Sequence, residues 1–361
     1  MANSEVVYLD QLRNPDANLR RRAVRELTRY PENKEVVAAL CEALGDPNKG
    51  VQNITIEALS SMVHENVVLG LINVVKSPDL NTRNAGMTIL RNLGSMGIEP
   101  IIAALNNSSD VDEIIQLLVV LGDIKSHLAT DTVLKFINHE DDNVKTTAVE
   151  SLGKIQDPKA VASLLEVYKN TDILRYSVVE ALGNIAVDEA LPTLKAALDS
   201  ADMLEYFTAI GALGSTESPK VLEVLLKKIA SEEDSGTRRL LFKSLAQIES
   251  ANAGALSKAD VSGVKGILLE LLEKSQDAAE YRYLVEVAAA VNDADYANSL
   301  LDALQNNEEE ISNVAYNGLC KLGNKAEKVA LERINKVDAV TAVKILNFFE
   351  KNPKSTIIGL N

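Results

Sequence analysis

Residues 142–183 read DNVKTTAVESLGKIQDPKAVASLLEVYKNTDILRYSVVEALG, and the stretch holds one structural sentence twice. Val144, Ala148 and Leu152 recur at i, i+4 and i+8, one buried stripe of a helix. Thirty residues on, Leu174, Val178 and Leu182 repeat the stripe. Between them Asp157-Pro158 opens a shorter apolar run, Val161, Leu164, Leu165 and Val167, which closes in the polar turn 169–172. The spacing predicts a hairpin: a first helix, a turn, then a second helix. Asp142 and Asp172 stand where N-caps belong, and Gly153 and Gly183 where helices stop.

Working outward, the Leu-Gly pair recurs at Leu93-Gly94, Leu121-Gly122, Leu152-Gly153, Leu182-Gly183 and Leu213-Gly214, at spacings of 28, 31, 30 and 31. Earlier stripes read Leu19, Ala23, Leu27 and Ile54, Ala58, Met62. Past Gly214 the period stretches, with Ile248, Val291, Leu322 and Phe349 taken as equivalents at spacings of 35, 43, 31 and 27. The excess is placed in 231–236 and in the Ala-, Ser- and Gly-rich 249–262, a loop or short extra helix and the expected joint. The predicted fold is an all-α solenoid of about eleven hairpins, each packing on its neighbours. Repeats 1–8 occupy 1–248, repeats 9–11 occupy 263–351, and 352–361 form a tail.

Composition agrees. A chain of 361 residues exceeds what one core usually organises, a limit that a repeat array escapes. Aromatics are 4% and Trp is absent, so the core is aliphatic. The net charge of -15 disfavours nucleic acid, although residues 1–30 carry six arginines against four acids. Cys41 and Cys320 lie about eight repeats apart, too far for a disulfide. The opening Met1-Ala2-Asn3-Ser4-Glu5 lacks a signal-peptide pattern, and no run of 18 apolar residues offers a membrane span. A cytoplasmic protein that contacts neither membrane nor nucleic acid is expected.

Asn14-Pro15-Asp16…Leu19-Arg20…Ala23…Leu27, Asp46-Pro47…Val51…Ala58 and Asp142…Val144-Lys145…Ala148…Leu152-Gly153 resemble the HEAT-repeat family. The short period resembles the phycobilisome-lyase-like variety. The resemblance implies a right-handed, armadillo-like superhelix and a scaffold or adaptor role.

Little in the sequence points to chemistry. His64-Glu65 and His139-Glu140 are reminiscent of the His-Glu pairs of deoxyhypusine hydroxylase, a HEAT-like di-iron enzyme. Here one follows a second helix and the other sits in a turn about three repeats away, so both read as surface-turn histidines. HEAT-like alkylpurine DNA glycosylases use a basic face with Trp, which an acidic chain without Trp does not match. No metal, cofactor or catalytic residue is expected. The acidic runs 140–142, 232–234 and 308–310 precede second helices, where anions favour the helix dipole. Arg20-Arg21-Arg22 reads either as a solvated cap face or as a contact for an acidic motif.

The position two before the centre of each second-helix stripe is rotated away from the core. It reads Arg21, Ile56, Met87, Ile115, Thr146, Tyr176, Phe207, Phe242, Val285, Tyr316 and Val343. Nine of the eleven are apolar or aromatic, which either packing between neighbouring second helices or an open groove explains. In the fourth repeat seven of the eight residues 114–121 are apolar, as in a helix covered on every side. The expected partner contacts are Ile115, Val119, Tyr176, Phe207 and Phe242, with Arg21 and Arg25. The function expected is a non-catalytic scaffold that binds another protein along the concave face. Two alternatives are a lyase-like chromophore or protein-modification factor, for which Glu150 and Glu180 are the groove-side candidates, and a homo-oligomeric element joined through the fourth repeat.

Overall fold

The computed structural model describes residues 4–334 together with 342, 343, 345 and 346. The expected tail and most of the second helix of the last hairpin lie outside the described residues. Every regular element among those described is helical, and the chain forms two compact units, Met1–Ile185 and Ala186–Asn361.

The first unit stacks six hairpins. They pair α1 (Ser4–Gln11) with α2 (Ala17–Leu27), α3 (Lys34–Ala43) with α4 (Lys49–Ser61), α5 (Glu65–Val74) with α6 (Leu80–Leu93), and α7 (Ser95–Asn107) with α8 (Val111–Ile124). The fifth pairs α9 (Thr130–Val133), extended at both ends by 3-10 turns, with α10 (Asp142–Ile155), and the sixth pairs α11 (Val161–Asn170) with α12 (Arg175–Ile185). The second unit pairs α13 (Leu191–Ala197) with α14 (Met203–Ser215), α15 (Leu222–Ser231) with α16 (Ser235–Ala251), α17 (Lys265–Lys274) with α18 (Ala278–Val291), and α19 (Ala297–Ala303) with α20 (Glu309–Leu322). The first helix of an eleventh hairpin follows as α21 (Asn324–Ile334).

The second helices share one register. Leu27, Leu59, Leu90, Leu121, Leu152, Leu182, Leu213, Leu245, Ala288 and Leu319 are all buried, and so are the residues four before them. Their spacing is 30–32 throughout, except 43 between Leu245 and Ala288. The excess thus falls around the end of α16 and after it, where 252–264 hold two 3-10 turns, whereas α15 and α16 are joined by the short turn 232–234. That inserted segment is tied down: the Glu249 carboxylate accepts the backbone N–H groups of Gly254 and Leu256. Ile248 is buried but lies three residues past the true equivalent, Leu245.

The recurring glycine has a different role from the one its position suggests. Gly94 does end α6, at φ +57°. Gly122, Gly153, Gly183 and Gly214 lie inside their helices. A Cβ on Gly122 would sit 2.9 Å from Cα of Ser151, and one on Gly153 would sit 2.8 Å from Cα of Ala181. Gly122, Gly153 and Gly214 bring neighbouring second helices into backbone contact. Ser151 uses the closeness to donate its buried hydroxyl to the Leu118 carbonyl at 2.9 Å, and Ser244 does the same to Ile210 at 2.8 Å. The turns out of these helices fall three residues later, on Lys125, Gln156, Ala186 and Glu217, all at φ between 53° and 59°. Left-handed non-glycine residues are uncommon, so each turn is held by its surroundings.

The caps also differ by a residue. Asp141, not Asp142, accepts the N–H groups that open α10. Thr171 occupies the position expected of Asp172, which pairs instead with Arg175.

Candidate protein-binding surface

Second-helix residues at two and six before the buried anchor, and two after it, are rotated about 140–180° from the stripe. These are the positions that face away from the first helices. In the first unit the three read Arg21, Arg25, Arg29; Asn53, Glu57, Ser61; Asn84, Thr88, Asn92; Ile115, Val119, Asp123; Thr146, Glu150, Lys154; and Tyr176, Glu180, Asn184. None of the eighteen is buried. In the second unit they read Phe207, Gly211, Ser215; Arg239, Lys243, Gln247; Arg282, Glu286, Ala290; and Asn313, Asn317, Lys321.

This register keeps most of the expected contact residues and removes one. Arg21 and Arg25 are exposed on α2, Ile115 and Val119 half-buried on α8, and Tyr176 half-buried on α12. Phe207 is 38% exposed on α14, with Leu204 56% exposed one turn earlier. Phe242 is wholly buried in the core of α16 and lines no surface. Its place is taken by Arg239, because anchoring α16 on Ile248 shifted the reading by three residues. The same shift put Met87 and Val285, both buried, on the expected ladder in place of Asn84 and Arg282. The apolar run therefore shortens to the middle of the chain, and the surface on either side is polar or charged.

The apolar fourth repeat is explained mainly by its own neighbours. α8 packs on α6, α7 and α10, and Ile114, Leu117, Leu118, Val120 and Leu121 are buried there. Only Ile115 and Val119 are left half-open.

Charges on the first unit's surface are linked from helix to helix. Asp123 receives Lys154 at 2.9 Å and Arg91 at 3.2 Å. Burial first, and then the Glu180 carboxylate, push the Glu150 carboxyl up, while Lys154 pulls it back. Both carboxylates are exposed.

In the second unit the corresponding face opens into a cleft of about 1220 Å³, lined by Arg239, Leu240, Lys243, Arg282, Tyr283 and Glu286 among others. Arg239 pairs with Glu280 at 2.9 Å, and Arg282 reaches Glu310 at 2.8 Å. Lys243 has no ion-pair partner among the described residues and points at solvent. Beside Phe207, Tyr206 donates its hydroxyl to Glu232 at 2.7 Å. Glu232 thereby holds a side chain, and Asp234 caps α16, so this acidic run is structural.

Other sequence features resolve into architecture. His64 and His139 each accept a backbone N–H through Nδ1, from Asn66 at 3.1 Å and Asp141 at 3.0 Å. Arg20 is not part of a solvated face. Its guanidinium grips Asp46 of the next repeat at 2.7 and 2.9 Å and donates to the Asn14 carbonyl at 2.8 Å. The position before each outward residue carries such clamps repeatedly: Gln52 donates to the Asp46 carbonyl and Ser312 to that of Leu304.

Residues 7–91, 98–176 and 170–246 match the family model of HEAT repeats. The chain belongs to the HEAT-repeat family. A comparison with curated protein sequences finds no match. Among solved structures, importin β crystallised with ammonium sulfate superposes with a TM-score of 0.65 at 15% identity, covering 98% of this chain and 55% of that one. Yeast importin β (Kap95p) gives 0.61 at 15% identity, over 98% and 55% of the two chains. Kap121p bound to Pho4p gives 0.58 at 12% identity, over 97% and 45%. At these identities the likeness is one of fold, and this HEAT-repeat chain spans about half the length of the chains it matches. No helix among the described residues is long and apolar enough to cross a membrane.

Proposed function

We propose that this HEAT-repeat chain is a non-catalytic, cytoplasmic scaffold that holds a segment of another protein along its second-helix face, the concave side of a HEAT stack. Its apolar anchors are Ile115, Val119 and Tyr176 on the first unit and, taken by itself, Phe207 on the second. The observation that carries this reading is the change in character at one repeated position. Six residues before the anchor, repeats 2 and 3 carry Asn53 and Asn84, as an exposed helix face should, while repeats 4, 6 and 7 carry Ile115, Tyr176 and Phe207. Phe207 stays 38% exposed although its ring lies 5.4 Å from that of Tyr206, and aromatic anchors dominate protein interfaces. The importin-like structures that share the fold include complexes of Kap121p with Pho4p and of Kap95p with Nup1, which supports protein binding as the class of activity.

The test is affinity capture with the purified chain and with a Tyr176→Ala/Phe207→Ala variant as baits, read by quantitative mass spectrometry. Partners that the wild type retains are expected to be lost from the variant. Undiminished capture by a variant with an unchanged circular dichroism melt would overturn the assignment of the anchors.

A further inference from the structure

The first three repeats of unit 1 differ from the rest of an acidic chain. α2 presents Arg21 and Arg25 at its outward positions, with Arg22 beside them and Arg29 in the turn that follows, and all four are exposed. Of these four, Arg29 is ion-paired, with Glu26 at the end of α2 at 2.9 Å. Arg21 donates to the Asn18 side chain at 2.8 Å and lies over the surface of the next repeat, its guanidinium 3.3 Å from where a Cβ on Gly50 would be. Arg22 and Arg25 have no side-chain partner among the described residues. The neighbouring outward positions supply Asn53, Asn84, Thr88 and Asn92, whose side chains likewise have no partner among the described residues, and one carboxylate, Glu57.

We propose that this strip binds a short, extended, acidic segment of a partner protein, with carboxylates on Arg21 and Arg25 and backbone groups on the amides of Asn53 and Asn84. The proposal rests on the second-helix face being the binding surface. A guanidinium matches a carboxylate with two parallel hydrogen bonds. A primary amide offers both a donor and an acceptor, which is what an extended backbone presents. A nucleic acid fits less well. The strip has no aromatic side chain on which a base would stack, and beyond repeat 3 the face turns to Asp112, Asp123, Glu150 and Glu180, which repel a continuing polyanion.

Three helix layers at ~10 Å match about ten extended residues at ~3.3 Å each. The probe is therefore a fluorescein-labelled peptide of that length, alternating Glu and Ser, titrated against the full chain by fluorescence anisotropy. Saturable binding that weakens with added salt is expected. Arg21→Glu/Arg25→Glu should weaken it about tenfold or more, since two attractions are each turned into a repulsion. Arg25→Gln, which keeps a hydrogen-bonding side chain, should lie between the two. Tyr176→Ala/Phe207→Ala should leave peptide affinity unchanged, so failure of this site and failure of the apolar anchors are separable. No binding of the peptide, indifference to the arginine variants, or tighter binding of a single-stranded oligonucleotide of equal charge would each overturn the proposal.

Discussion

Two glycines in the middle of second helices should respond in opposite ways to the same added methyl. Gly211 in α14 faces outward, and a Cβ built on it meets nothing within 4 Å. Gly211→Ala should therefore gain the helix preference of Ala over Gly, about 1 kcal/mol. Gly153 in α10 faces α12, and its Cβ would come to 2.8 Å from Cα and 2.9 Å from Cβ of Ala181. Ordinary contact begins near 3.4 Å, and the obstacle is backbone that no rotamer change can move aside. Gly153→Ala gains the same propensity but must separate α10 from α12, and such overpacking costs about 1–3 kcal/mol. The difference between the two variants isolates the overpacking cost. Urea denaturation followed by far-UV circular dichroism measures it, with hydrogen exchange of α10 and α12 to localise the loss, because repeat arrays need not unfold in one step. Gly211→Ala should raise the midpoint and Gly153→Ala should not. Equal stabilisation by both would mean that the second helices are not in backbone contact at Gly153, and the role given to the repeated glycine would fall.

Three further outcomes follow from the same geometry. Ala186 is held at φ +56°, where an L-residue costs about 1–2 kcal/mol, so Ala186→Gly should raise the melting temperature despite the freedom it adds to the unfolded chain. Burial pushes the Asp46 carboxyl up, but the hydrogen bonds from Arg20 and from the Asn48 N–H outweigh it and hold the group below its ordinary range. Its contribution is complete above the unfolded value near 3.9 and is lost as pH falls through the lower folded value. The urea midpoint of the wild type should thus fall more between pH 5 and pH 3 than that of Asp46→Asn. Burial, aided by Glu42, pushes the Cys41 thiol up to about 12, whereas Cys320 is half-exposed and raised less. Iodoacetamide at pH 8 should therefore alkylate Cys320 in the native chain and spare Cys41 until urea is added, as peptide mapping would show.

The periodicity of Val144, Ala148 and Leu152 was enough to read the hairpins, their number and their two-helix grammar, because burial acts on the i, i+4, i+8 stripe directly. The register of individual helices was harder to read. A Leu-Gly pair is a serviceable marker only where the close-contact position needs Gly; in α16 that position holds Ala246, and Ile248 three residues later offers an equally apolar decoy. One slip of that size rotates a helix surface by about 60° and exchanges Phe242 for Arg239. A check was available in the sequence: counting from Leu245 gives the regular 32, and counting from Ile248 gives 35. The clamp made by Arg20 had no comparable signature, since three consecutive arginines look alike until Asp46 is placed beside only one of them. The middle of the surface survived because Ile115, Tyr176 and Phe207 lie in the helices where the Leu-Gly marker is intact.

The central claim is that the partner lies on the second-helix face, and site-specific photocrosslinking tests it most directly. A benzophenone amino acid placed at Thr146 or Tyr176 should form adducts with the captured partner, while one at Leu128, 74% exposed in the first-helix layer, should form none. Adducts from Leu128 with none from Thr146 or Tyr176 would contradict the account.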